Sequence, residues 1–169
     1  MFIVDSMPMP ICKNVREKRL KVCKETFKTA PDKGYSAVNK QYFIGYKLHL
    51  VTSLNGVFFS MDITKASVHD VQYLSDIRYS GLNNATLLAD AGYISSDYQI
   101  DLFTSANISL QAPSRSNQKQ HVPYPFVFRK SRKVIETIFS QLADQMMIKR
   151  NYAKTFEGLS VRVISANDK

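Results

Sequence analysis

The chain has 169 residues, 44% hydrophobic and 22% charged, which suits one domain, or one domain with arms, and excludes wholesale disorder. No apolar run approaches the roughly 20 residues of a membrane span, MFIVDS is too short and too acidic for a signal segment, and Cys12 and Cys23 are too few for a disulfide framework or a four-ligand zinc site. A net charge of +9, from 23 Lys and Arg against 14 Asp and Glu, points to a polyanionic partner of a soluble protein in a reducing compartment.

In chain order, Phe2-Ile3-Val4 is a short β-type run ending at Asp5, and Pro8 and Pro10 are expected to stop it. Residues 13–41 are polar and basic, contain Pro31 and Gly34, and read as a helical or irregular insertion. YFIGYKLHLVTS (42–53) alternates, with Ile44, Tyr46, Leu48 and Leu50 on one face. VFFSMDI (57–63) follows it across Asn55-Gly56, the strongest hairpin signal in the chain. Ser67, three residues before Asp70, has capping-box-like spacing for a helix over about 68–78. TLLAD (86–90) reads as a buried strand stopped by Ala91-Gly92. Ser95 or Ser96 suits the cap of a helix through about 105, ISLQAP (108–113) is another short strand, and 114–125 is loop-like.

Residues 129–150 carry the clearest helical pattern, with Val134/Ile135, Ile138/Phe139, Leu142/Ala143 and Met146/Met147 on one stripe. Glu136 falls at the edge of that stripe, with Arg132 one turn earlier on the same flank. An antiparallel start followed by alternating strands and helices predicts an α/β fold with a mixed five-stranded sheet flanked by helices. One domain over 1–160 is expected, followed by a polar tail at 161–169.

Charge sharpens this layout. Residues 11–50 hold ten bases against three acids, residues 115–154 hold nine against two, and the remainder holds four against nine. Two basic blocks thus flank an acidic middle, a pattern that suits a phosphate backbone held near a metal-binding centre. Asp5 at the end of the first strand and Asp90 at the end of LLAD come within about 5 Å if their strands pair, and a helix over that edge can add Glu136. Converging carboxylates repel and call for hard divalent cations. Taken singly, each acid also has a plain structural reading: Asp5 and Asp90 as turn residues, Glu136 as the i, i+4 partner of Arg132. His49 reads as a strand surface residue, though one that shares a side with Lys47 and Val51. His69 reads as a neighbour of a helix cap, Tyr93 as packing for the turn after Gly92, and the two thiols as inert.

The segments VDSMP, LLADAGYIS and RKVIETIFSQL resemble the three signatures of DDE transposases from bacterial insertion sequences, a group in the ribonuclease H-like, retroviral-integrase superfamily. GYKLHL, the Asn-Gly hairpin and Ala66-Ser67-Val68-His69-Asp70 are similar to the elements between the first two signatures. The resemblance covers about residues 2–160, with its acids spaced 85 and 46 residues apart. It implies a ribonuclease H-like fold with a basic insertion, Asp5, Asp90 and Glu136 as the catalytic and metal-binding triad, and two Mg²⁺ (or Mn²⁺) ions. It also implies DNA contacts from Arg129, Lys130, Arg132, Lys133 and Lys47. Arg129 and Ala143 stand where a related branch carries a tyrosine and a lysine, so the hairpin-type chemistry of that branch is not implied.

The activity implied is metal-dependent cleavage of DNA at transposon ends and transfer of the freed strand to target DNA. The implied protein works in the bacterial cytoplasm at the nucleoid, as a homodimer in a synaptic complex, with no membrane and no small-molecule substrate. Two alternatives stay open: an inactive DNA-binding remnant, and a ribonuclease H-like nuclease without strand transfer. Only three residues between Met1 and Asp5, and a polar end after the long helix, give the further expectation of a truncated copy with a shortened first strand.

Overall fold

A computed structural model of the chain describes residues 1–113, 126–150 and 152–165. The elements are β1 (Phe2–Lys13), a 3₁₀ turn (Asn14–Arg19), β2 (Asp32–Ser36), β3 (Gln41–Ser53) and β4 (Phe58–Lys65). A second 3₁₀ turn (Asp70–Tyr73) runs into α1 (Leu74–Ile77), followed by β5 (Ala85–Leu88), a third turn (Ala91–Tyr93) and α2 (Ser96–Ala106). β6 (Ile108–Gln111), α3 (Phe126–Asp144) and α4 (Phe156–Ser165) complete the chain. The sheet is mixed, in the order β2-β3-β1-β5-β6, with β4 also paired to β3. β1 to β5 and β5 to β6 are parallel, and β2 to β3 is antiparallel. The expected mixed α/β sheet is therefore present, its five strands joined by a sixth, β2, from the basic insertion.

β1 departs from expectation, continuing through Pro8 and Pro10 to Lys13, so that Asp5 lies inside a twelve-residue strand and does not end a short one. Its register with β5 involves Phe2 and Ile3, so beyond Asp5 that edge of β1 is clear of β5. Pro8 and Pro10, two residues apart, present their missing N–H groups along one edge, where a strand tolerates proline. The 13–41 segment holds β2 as well as the 3₁₀ turn. Gly34 makes β2 possible: a Cβ there would stand 2.6 Å from the Cβ of Ala66 and 2.9 Å from its carbonyl oxygen.

Asn55-Gly56 does close the β3–β4 hairpin. Gly56 takes φ +84 and donates to Ser53 O at 3.0 Å, while Ser53 N donates to Val57 O at 2.8 Å. This is a three-residue loop with its left-handed position filled by glycine. The helix expected over 68–78 is a 3₁₀ turn followed by one turn of α-helix, and Ser67 does not cap it. Its hydroxyl donates to Asp32 Oδ2 at 2.8 Å, and the residue at the cap is His69. Ser95 is at the cap position of α2, though without a side-chain capping bond. α2 stops at Asn107, whose φ of 51 ends the helix as its N–H returns to Leu102 O and Phe103 O.

The chain divides into two compact units. The first (1–5, 50–60 and 69–138) is built on a core of Val4, Val51, Tyr73, Leu74, Leu87, Leu102 and Ile108, all at most 3% exposed. The second (6–49, 61–68 and 139–169) centres on Tyr46, 1% exposed, whose hydroxyl donates to Thr29 O at 2.6 Å and whose ring meets Phe156 at 5.3 Å. Burial pushes the Tyr46 hydroxyl above the usual tyrosine range. α3 begins at Phe126 and buries Phe128, Ile135, Ile138, Phe139 and Leu142 along one face, in line with the stripe read from the sequence. It ends at Asp144, short of Met146 and Met147. α4 takes in Val161–Ser165, the first half of the segment read as a tail. The loop read at 114–125 lies outside the described residues.

Candidate active site

Asp5 and Asp90 are set by strand register. β1 pairs with β5 at Phe2↔Leu87 and Ile3↔Leu88, and Asp5 and Asp90 follow two residues further on at the same offset, Asp90 just beyond the end of β5. Parallel neighbours are about 4.8 Å apart and matched positions face the same side of a sheet. The sequence spacing of 85 is thus the pairing offset of two adjacent strands. Both aspartates are half-buried, above the fully buried Ile3, Val4, Leu88 and Ala89, so the pair sits on a rigid base. Ala89 N still donates to Gln111 O at 2.9 Å, which holds the chain against β6 up to the residue before Asp90.

Asp90 then turns the chain. It caps the third 3₁₀ turn, its Oδ1 accepting the Gly92 N–H at 2.6 Å. The structural reading of Asp90 as a turn residue therefore holds. Gly92 is required by crowding: a Cβ there would stand 2.9 Å from Asp90 Oδ1 and 3.9 Å from Asp70 Oδ2. Asp70 is accordingly a second carboxylate at this turn, one that the sequence reading took only for helix capping. The signal available was its place in the Ala66–Asp70 stretch. Tyr93, 1% exposed, packs into the core of the first unit, as expected.

Glu136 lies on the same unit, on α3. This helix rests on the β3–β4 loop, where a Cβ on Gly56 would stand 3.5 Å from Val134 Cγ1 and 3.7 Å from Ile138 Cδ1. The Glu136 side chain is 58% exposed and pairs with Arg132 Nε at 3.7 Å. Among the described residues no group of three or more His, Cys, Asp and Glu is placed to hold a metal ion. The β1–β5 pairing thus ends two residues before Asp5 and Asp90 on either chain segment, and the described residues gather no three-ligand group that would include Glu136. The two aspartates fit a hard divalent cation by their chemistry: carboxylate oxygens, each favoured in its charged form by a cation.

Among the basic residues, Lys130 and Lys133 are exposed on α3, and Arg132 is half-buried beside Glu136. Arg129 is part of α3, with its side chain outside the described ones. In the second unit Lys47 is half-buried, and its ammonium donates to Val68 O at 2.8 Å. His49 is no surface residue. It is fully buried, with Nε2 2.8 Å from Thr64 Oγ1. His69 is exposed at its turn. Neither cysteine is in a disulfide, and burial, followed by the nearby Glu17, pushes the Cys12 thiol up, away from the reactive thiolate.

No helix among the described residues is long and apolar enough to cross a membrane. In comparisons with known proteins, the family described as Transposase DDE domain matches residues 1–167. No curated protein matches the chain.

Proposed function

Because this chain belongs to the Transposase DDE domain family, a family of DNA-binding phosphoryl-transfer enzymes, we propose that it cuts DNA at the ends of an insertion sequence and joins the freed strand to target DNA. The observation that supports this reading is the β1–β5 register, Phe2↔Leu87 and Ile3↔Leu88, whose offset of 85 residues is also the spacing of Asp5 and Asp90. Divalent cations, when bound, activate an attacking oxygen and stabilise the leaving oxygen at phosphorus. Asp5 and Asp90 would hold them, with Glu136 completing the set. Gly92 N–H fixes the Asp90 carboxylate by its bond to Oδ1, so this side chain arrives already oriented. In-line displacement at phosphorus needs no covalent protein intermediate, which agrees with the buried Tyr93 and the unreactive Cys12.

Arg132 pairs with Glu136 in a partly exposed ion pair at 3.7 Å, of a kind worth about 0–1 kcal/mol. Lys130 and Lys133 on the exposed side of α3 supply charge for the phosphate backbone, in a homodimeric synaptic complex at the bacterial nucleoid. The Arg132–Glu136 pair also favours a second reading, DNA binding without cleavage. One experiment separates the two. The chain is incubated with its element-end DNA and Mg²⁺ or Mn²⁺, and cut and joined products are resolved on a sequencing gel. Products that vanish in Asp90→Ala while DNA binding persists support the first reading. Binding alone, unchanged in Asp90→Ala, supports the second, and cutting without joining indicates a nuclease.

A further inference from the structure

The second unit carries an exposed aromatic and basic surface that the catalytic reading leaves unused. Tyr35 on β2 and Tyr42 on β3 are register partners, with ring centroids 5.1 Å apart and planes at 58°. They remain 52% and 56% exposed. A cross-strand aromatic pair stabilises a ladder whether or not anything stacks on it, so the pair alone decides little. Its surroundings decide more. Lys33, two residues from Tyr35 and therefore on the same face, sets its ammonium 4.5 Å from the centre of the Tyr42 ring. Tyr42 also borders a cavity of about 210 Å³ whose wall includes Asn39, Gln41, Lys13 and Lys149. Ring faces, amide groups and ammonium groups are the three chemistries needed for a nucleotide: stacking, base-edge hydrogen bonds and phosphate neutralisation.

We infer that this face of β2 and β3 binds a single-stranded segment of DNA. The tyrosines stack on unpaired bases, the cavity takes one nucleotide against Asn39 and Gln41, and Lys13, Lys33 and Lys149 neutralise phosphates. A duplex hides its base faces and offers only phosphates, so the tyrosines select unpaired strands. The inference rests on the DNA-processing reading above and extends it to the form of DNA held on the second unit. The strongly basic 11–50 segment, with ten bases against three acids, gives the matching charge.

The test is fluorescence anisotropy with labelled oligothymidylate of about 12 nucleotides, within the range one such surface covers, and a duplex of equal length. Stacking is worth about 1–3 kcal/mol per base. The Tyr35→Ala/Tyr42→Ala variant is therefore expected to weaken oligothymidylate binding at least about tenfold and leave duplex binding unchanged. Tyr35→Phe/Tyr42→Phe keeps the rings and is expected to bind as the native chain does, which separates stacking from loss of fold. Lys13→Ala/Lys149→Ala is expected to lower the salt dependence by about 0.7 for each phosphate that is no longer neutralised. No binding of oligothymidylate by the native chain, no effect of the alanine pair, or an equal loss on duplex overturns the inference. Tighter binding of oligouridylate overturns the assignment to DNA. Asp90→Asn is expected to leave oligothymidylate binding intact, so a failed cleavage assay and a failed stacking surface are told apart.

Discussion

Gly45 in β3 faces the backbone of β1 without a side chain between them. A Cβ there would stand 2.9 Å from Ile11 N and 3.1 Å from Pro10 Cα, with Met9 O closer still. Non-bonded carbon atoms sit best at about 3.5–4.0 Å, so Gly45→Ala forces β1 away from β3 by roughly an ångström. All three neighbours are main-chain atoms and no rotamer change relieves them. Overpacking costs about 1–3 kcal/mol, and here the upper end applies. At about 2–4 °C per kcal/mol for a chain of this size, Tm falls by about 6–12 °C. Circular dichroism melts measure it, with Gly81→Ala as the comparison. Gly81 has φ +83 and nothing within 4 Å of its Cβ position, so its substitution incurs only the left-handed backbone strain of about 1–2 kcal/mol. A Gly45→Ala melt within about 2 °C of native, or a shift smaller than that of Gly81→Ala, would refute the reasoning.

Gly92→Ala crowds the Asp90 carboxylate, and DNA cleavage is expected to fall by at least about tenfold (about 1.4 kcal/mol in the barrier) while the melt changes little; single-turnover cleavage rates measure it, and an unchanged rate contradicts it. Lys130→Ala/Lys133→Ala is expected to weaken duplex binding uniformly across sequences and to reduce the salt slope by about 0.9 for each phosphate left without its lysine, read from anisotropy at several ionic strengths. Asp32 titrates below the usual carboxylate range, first because the Ser67 hydroxyl donates to it and then because the Lys33 N–H does. With its folded value below the unfolded one of about 3.9, it contributes stability above that pH and loses it as pH falls through the folded value. Ser67→Ala is expected to move the Asp32 titration upward by NMR and to shrink this acid-side loss of stability.

The parts of the fold that were legible in the sequence are those carried by local signals. Asn55-Gly56 marked the hairpin, the alternation of 42–53 marked β3, and the Ile135, Ile138 and Leu142 stripe marked α3. What stayed hidden depended on distant partners. Pro8 and Pro10 look like strand breakers until the edge they face is known to be clear of β5. β2 is a strand because Gly34 fits under Ala66, which no window around residue 34 contains. His49 is buried with Thr64 as its partner, fifteen residues away in the chain. At the site, the 85-residue spacing of Asp5 and Asp90 is a pairing offset, legible once β1 and β5 are known to be parallel neighbours. Glu136 was placed on its helix correctly, but its i, i+4 partner Arg132 holds it in the structure. Asp70 was masked by a capping pattern in which Ser67 instead bonds Asp32.

The central claim is that Asp5 and Asp90 form one cation site by virtue of strand register, and Mn²⁺ binding followed by electron paramagnetic resonance tests it most directly. The native chain is expected to bind Mn²⁺ at a site that Asp5→Asn and Asp90→Asn each abolish, with the fold intact by circular dichroism in both. Mn²⁺ binding that survives Asp5→Asn while Asp90→Asn removes it would show that the two carboxylates do not share a site, and would contradict the account.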